Sequence, residues 1–266
     1  MIHPLFKRYI GIDYSGAEAP VSRLKGLQVF EATSNGDPTR VDTTAGDGNP
    51  AKHTRWNWSR KEIAHWLADQ LASEGPIIVG IDHGFSFPDS YFKRYGLNDW
   101  DVFLDDFVRY WPTHEDHTYI EAIREQNPPR TGPNSELRLS ERWTSSTQSV
   151  FKLDGQGSVG KATHAGIPWL RFLRQHSNLR RKIHFWPFDG FDVPVGKSVI
   201  AEVWPSIFRR RYPRDERTQD EHDAYSVARW LQETNANGFL DRYFDPPLMP
   251  KERQIVSREG WLFGIL

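Results

Sequence analysis

The sequence predicts an α/β fold built on a mixed sheet, an antiparallel three-strand meander followed by parallel strands, with flanking helices and a helical insertion at about residues 88–166. Three observations carry this. Two apolar runs, YIGID (Tyr9–Asp13) and IIVGID (Ile77–Asp82), both end in Gly-Ile-Asp. Between them lie further strand-like runs separated by the turn-rich SNGDP, as a hairpin requires. From residue 59 onward, helical periodicity alternates with single strands, the order expected of βαβ units.

Taken in order, Tyr9–Asp13 is the first strand. GLQVFEAT (Gly26–Thr33) has the β-branched and aromatic bias of a second, and TRVDTT (Thr39–Thr44) is a candidate third. Ser59 and Glu62 form an S-x-x-E capping box, and Ile63, Trp66, Leu67 and Leu71 make one apolar face, so a helix is expected over Ser59–Ala72. Gly75-Pro76 ends it. Ile77–Asp82 is apolar on both faces, which suits a covered central strand. In the insertion, Trp100, Phe103, Leu104, Phe107, Val108 and Trp111 recur at helical spacing, and a short helix is expected over Glu115–Glu125. Ile167–Gln175 is read as helix, Ser198–Val203 (SVIAEV) as strand and Asp220–Thr234 as helix. QIVS and WLFGIL in the tail are read as a last hairpin. No internal period appears.

The composition is that of a folded domain: 38% hydrophobic and 26% charged, with 11 Trp, 16 Phe and 9 Tyr as large anchors. The net charge of −1 does not announce a nucleic-acid binder, and local patches decide such binding. The absence of cysteine excludes disulfides, zinc ribbons and thiol catalysis. The N-terminus lacks the apolar core of a secretory signal, and no run approaches the ~20 apolar residues of a membrane span, so a cytoplasmic location is expected.

The chemistry is carried by acids at element ends. Asp13 and Asp82 each close a strand, Glu202 lies near the end of SVIAEV, and Asp223 sits in the first turn of the late helix, with Asp220 on the same face. Carboxylates converging from neighbouring strand ends repel one another and raise each other's pKa. Divalent cations relieve this. Mg²⁺ or Mn²⁺ takes oxygen ligands and keeps waters, and two such ions ~4 Å apart can activate a water and stabilise the leaving oxygen of a phosphodiester. Each acid also has a plainer role. Asp13 and Asp82 could be turn residues bonding their own backbone. Glu202 could pair with Arg209 or Arg210, and for Asp220 a helix N-cap is the preferred role. The pattern as a set outweighs any one member.

The order GID…GID…AEVWPS…DEHDAYSVA resembles the ribonuclease H-like superfamily. More closely, GIDYSGA, VGIDHGFSFP, GSVGKATHAGIPWL, AEVWPS and HDAYSVA resemble domain-of-unknown-function family 429, whose members are predicted nucleases of ribonuclease H fold; the pieces run from Ile10 to about Leu231. The resemblance implies a single domain over 1–266 and a nuclease acting through two metal ions. Asp13, Asp82, Glu202 and Asp223 are the site acids, Asp220 joins them as a metal ligand, and Asp13 bridges both ions. The insertion has no counterpart in the minimal fold.

Other signals are weaker. Gly155, Gly157 and Gly160 match G-x-G-x-x-G, and Gly155-x4-Gly160-Lys161 approximates a phosphate loop, but Ala162 stands where that loop needs Ser or Thr. The preferred reading is a tight loop near the acids; Lys161 is either a charge offered to a substrate phosphate or, at least as readily, a solvent lysine on that loop. The basic runs Arg171–Lys182 and Phe208–Arg214 flank the strand bearing Glu202, and Arg209 and Arg210 are candidate contacts to a nucleic-acid backbone. Trp56, Trp58, Trp143 and Trp204 are candidates for base stacking, and His83 and His222 for proton transfer. Two rival functions remain: a non-catalytic module of the same fold that binds nucleic acid or protein, and an actin-like phosphotransferase or ATPase, suggested by GIDYSGA.

Overall fold

The computed structural model describes residues 5–43, 57–73, 75–126, 130–144, 148–155 and 158–266. Strand β1 (Arg8–Tyr14) pairs antiparallel with β2 (Leu27–Thr33), which pairs antiparallel with β3 (Thr39–Arg40). On its other side β1 pairs in parallel with β4 (Ile77–Asp82). Then β6 (Ser198–Glu202) pairs in parallel with β4, and β5 (Ile183–Trp186) with β6, giving the order β3-β2-β1-β4-β6-β5. The mixed sheet is therefore present, with β5 as an edge strand the sequence did not announce. IHFW is only four residues long and gives too little pattern to separate from a loop. β3 is shorter than TRVDTT: the indole of Trp58 donates to the Val41 carbonyl at 2.9 Å, a group a longer ladder could use, and Thr44 lies outside the described residues.

Helix α1 (Arg60–Ala72) starts on Ser59 with the reciprocal Ser59–Glu62 box in place. The insertion holds α2 (Asp89–Tyr95), α3 (Trp100–Tyr110), α4 (Ile120–Gln126) and α5 (Leu139–Trp143). α4 starts later than the expected Glu115, because Thr118 closes a turn on the carbonyls of Pro112 and Glu115.

α6 (Gly160–Gln175) departs most from expectation. Pro168 reads as a first-turn proline, which places the helix start at Ile167. In fact the helix runs through it. Proline lacks the N–H that would bond the carbonyl of His164, four residues back. That carbonyl instead accepts the buried hydroxyl of Thr113 at 2.7 Å, so the insertion repairs the break.

α7 (Gln219–Ala236), α8 (Leu240–Phe244) and α9 (Pro250–Glu259) complete the chain. The expected tail hairpin is thus corrected. QIVS belongs to α9, which opens with Pro250 and with Glu252 bonding the Met249 N–H, and Gly260 ends it at φ 79°. WLFGIL packs Trp261 and Phe263 into the core without forming a strand.

Strand parity sorts the core into two layers. Ile10, Ile12, Val79, Ile81 and Ile200 face α1, α3 and α6. Tyr9, Ile78, Val199, Ala201 and Val203 face α7, α8 and α9. Among the described residues no helix is long and apolar enough to cross a membrane.

Candidate active site

Side chains alternate faces along a strand, so parity decides which acids can meet. Asp13 and Asp82 are register partners at the ends of the parallel pair β1–β4. Neighbouring strands lie ~4.8 Å apart, and partners share a face. Two residues before each acid is a glycine, Gly11 or Gly80, which are also partners. A Cβ on Gly11 would collide with the Ala224 carbonyl of α7, and one on Gly80 would come within 2.6 Å of Val227. The absence of a side chain thus lets α7 lie directly on the sheet. Its first turns then extend over Asp13 and Asp82, carrying Asp220 and Asp223 on the same face.

Electrostatics confirm that these acids sense one another. Burial pushes Asp13 up to about 8; a bond from the Ser15 N–H (3.0 Å) opposes this, and Asp220 and Asp223 add to it. Burial also drives Asp82 well above the carboxylate range, helped by Asp13, Asp223 and Glu202 and opposed by Arg209. Asp223 is raised by burial against its bonds from Gln219 (2.9 Å) and Arg209 (2.8 and 3.2 Å), and Asp220 by burial and by Asp223. Asp220 is not the cap of α7: Thr218 is, in a reciprocal box with Glu221.

Glu202 does not join them on that face. Its register partner is Ile81, so it points to the other side of the sheet. There it accepts both terminal nitrogens of Arg138, at 2.5 and 2.7 Å, and the Phe85 N–H at 2.9 Å. Arg138, brought by the insertion, is 2% exposed and also donates to Glu141 (2.9 Å) and to the Glu259 carbonyl. Glu259 in turn accepts the N–H groups of Asp89 and Leu139. Arg138 is a site residue that the spacing of the sequence did not reveal.

Two clefts meet at Asp82, Val159 and Trp204. One, about 500 Å³, is lined by Ser15, Gly16, Gly155, Ser158 and Lys161. The other, about 350 Å³, is lined by Arg138, Gln148, Glu202, Ser206 and Arg209. The glycine loop is therefore beside the acids, and Val150–Phe151 ahead of it form a turn; Gly157 lies outside the described residues. Lys161 pairs with Glu121 and, at 3.5 Å, with Asp154. Arg210 is exposed on the turn after Phe208. The fully buried Arg60 donates to the carbonyls of Gly16 and Glu18 and so holds the wall of the larger cleft. A cleft of about 800 Å³ at the opposite end of the sheet, around Arg174, His184 and Lys197, contains none of these acids.

Both histidines are lowered by burial. Burial pushes His83 down to about 3, and its ring packs on Tyr14 while Nδ1 donates to the Gly84 carbonyl at 2.9 Å. His222 is lowered by burial and bonds the Arg209 carbonyl. Of the tryptophans, Trp204 lines both clefts, Trp58 is buried, Trp143 packs on Trp261, and Trp56 lies outside the described residues.

No family model, curated protein or solved structure matches this chain.

Among the described residues, no three His, Cys, Asp or Glu side chains stand ready-gathered around one ion position. The donor chemistry of the α7 face nevertheless suits a hard cation. Asp82 makes no hydrogen bond or ion pair among the described residues. Asp13 commits one oxygen, to Ser15. Asp223 is held by Arg209, whose side chain is 35% exposed. Glu202, bonded through both oxygens to a buried arginine, does not offer itself in the same way.

Proposed function

We propose that this chain is a divalent-cation-dependent phosphodiester hydrolase with a ribonuclease H-like sheet, akin to domain-of-unknown-function family 429, and that it acts on nucleic acid. The observation that carries this reading is the pairing of Asp13 with Asp82 beneath the first turns of α7, where Asp220 and Asp223 raise the charge density further. Buried carboxylates without counter-charge are costly, and a cation is the usual relief. The order of the sheet and the direction of its pairs are compatible with the superfamily.

Asp13 and Asp82 would hold Mg²⁺ or Mn²⁺, with Asp223 and Asp220 joining as Arg209 turns outward. Such an ion supplies a bound water of lowered pKa and charge to stabilise the phosphoryl oxygens. The remaining tasks fall to the chain. Lys161 on one side of Asp82 and Arg209 on the other bind non-bridging phosphate oxygens. Trp204 at the junction gives a face for a base. Water is the nucleophile, oriented by the open carboxylate of Asp82.

A screen with Mg²⁺ and Mn²⁺ over single- and double-stranded DNA and RNA tests this. Cleavage should appear and be lost in Asp13→Asn; cleavage unchanged in that variant marks a contaminant. A second reading, a module that binds without cutting, is favoured by the bond of Arg209 to Asp223, since the chain supplies its own cation there. Retention of nucleic acid without products under every metal condition would select it.

A further inference from the structure

We infer that the site binds one divalent ion, not two, and that Arg138 permanently fills the place of a second cation beside Glu202. The inference rests on the proposed metal reading and narrows it. Three observations support it. The pleat puts Glu202 on the face opposite Asp13 and Asp82, so it approaches the smaller cleft from the other side of the strand ends. Both Glu202 oxygens are engaged by the Arg138 guanidinium at 2.5 and 2.7 Å, and the two side chains are 4% and 2% exposed. Finally, Arg138 is fixed from the rear by Glu141 and by the Glu259 carbonyl, a framework that also bonds the first N–H groups of α2 and α5. An arginine held in this way is part of the scaffold and does not leave for a metal.

This arrangement contrasts with Arg209. That residue lies on a surface turn, bonds only one of the acids and is partly exposed. Two arginines thus neutralise two acids, but only Arg209 is placed to give way. The site on the α7 face is left with Asp13, Asp82 and Asp223 for a single ion. Arg138, which lines the smaller cleft together with Asp82, occupies the position beside Glu202 that a second ion would otherwise take.

The test is a Mn²⁺ titration of the full chain followed by calorimetry and by the loss of free-Mn²⁺ electron paramagnetic resonance signal. The unaltered chain should bind one ion. Glu202→Gln, checked for folding by circular dichroism, should keep that stoichiometry and affinity. Asp82→Asn should weaken binding by at least the ~10–100-fold typical of losing even an outer-shell partner. Two ions bound by the unaltered chain, or a weakening in Glu202→Gln as large as in Asp82→Asn, overturns the inference. If two ions bind and Asp82→Asn loses them, the hydrolase reading stands and only the single-ion inference falls. If no Mn²⁺ binds, or Asp82→Asn changes nothing, both fall. Should Glu202→Gln not fold, the stoichiometry of the unaltered chain remains decisive on the number of ions.

Discussion

The two sides of the strand ends handle buried charge in opposite ways. On the insertion side, Glu202 meets Arg138, which is met in turn by Glu141 and a backbone carbonyl. On the α7 side, Asp13 and Asp82 have each other, Asp220 and Asp223 for neighbours, with the side chain and N–H of Ser15 bonding Asp13 and the charge of Arg209 acting on Asp82. The first arrangement is what a fold requires of buried ions. The second works against folding while the acids are ionised. The contrast teaches that an acid at a strand end is not by itself evidence of a site. Its hydrogen-bond partners distinguish the structural acid from the functional one.

The largest way to break this contrast is to remove the counter-ion on the insertion side. Arg138→Met removes the bidentate charge partner of the buried Glu202, and is expected to cost ~3–5 kcal/mol in denaturant unfolding. A loss below ~1 kcal/mol, the range of exposed pairs, would mean that the network is open to water.

On the α7 side the expected sign is the reverse. The folded Asp13 has its pKa raised from 3.8 to about 8, chiefly by burial. A raised acid binds its proton more tightly folded than unfolded. Its contribution to stability is therefore complete below pH 3.8 and is lost as pH rises toward about 8. Without divalent cations the Tm should fall between pH 5 and pH 9. Asp13→Asn should flatten that fall and raise the Tm at pH 9, and Mn²⁺ should do the same for the unaltered chain. A Tm that climbs with pH over this window would contradict the assignment.

The smallest effect sharpens the comparison on the substrate side. Lys161 is partly exposed and paired with Glu121, so Lys161→Ala should change stability by only ~0–1 kcal/mol. If it contacts a phosphate, the salt dependence of nucleic-acid binding should drop in slope by about 1, with no change in sequence preference. An unaltered slope would confine Lys161 to its ion pair.

Much of this was legible before any coordinates. The Ser59–Glu62 box, the β1–β2 pair and the central β4 follow from pattern, and Gly-Ile-Asp marks both strand ends. What escaped was information that lies between elements. SVIAE is apolar on both faces of β6, so no alternation shows which way Glu202 points; only its pairing with β4 does. The course of α6 through Pro168 depends on a hydroxyl 51 residues upstream of the rescued carbonyl. In the tail, QIVS alone resembles a strand, whereas the proline, glutamate and glycine around it punctuate α9. The two glycines were a usable signal. Each precedes its aspartate by the same offset, and a glycine inside a strand marks the close approach of another backbone.

Those two glycines make the gap between the strands and α7 a hard contact. At Gly11 the strand lies against the backbone of Ala224 and Ala228, and at Gly80 against the side chains of Val227 and Val203. At the far end of the same eighteen-residue helix, Asn235 donates to the Tyr9 hydroxyl at 2.7 Å and accepts the Leu5 N–H at 3.1 Å. The helix is thus clamped along its length like a beam on two supports. One support lies where the helix crosses the strand glycines, and the other ties its last turn to Tyr9 and to the Leu5 backbone.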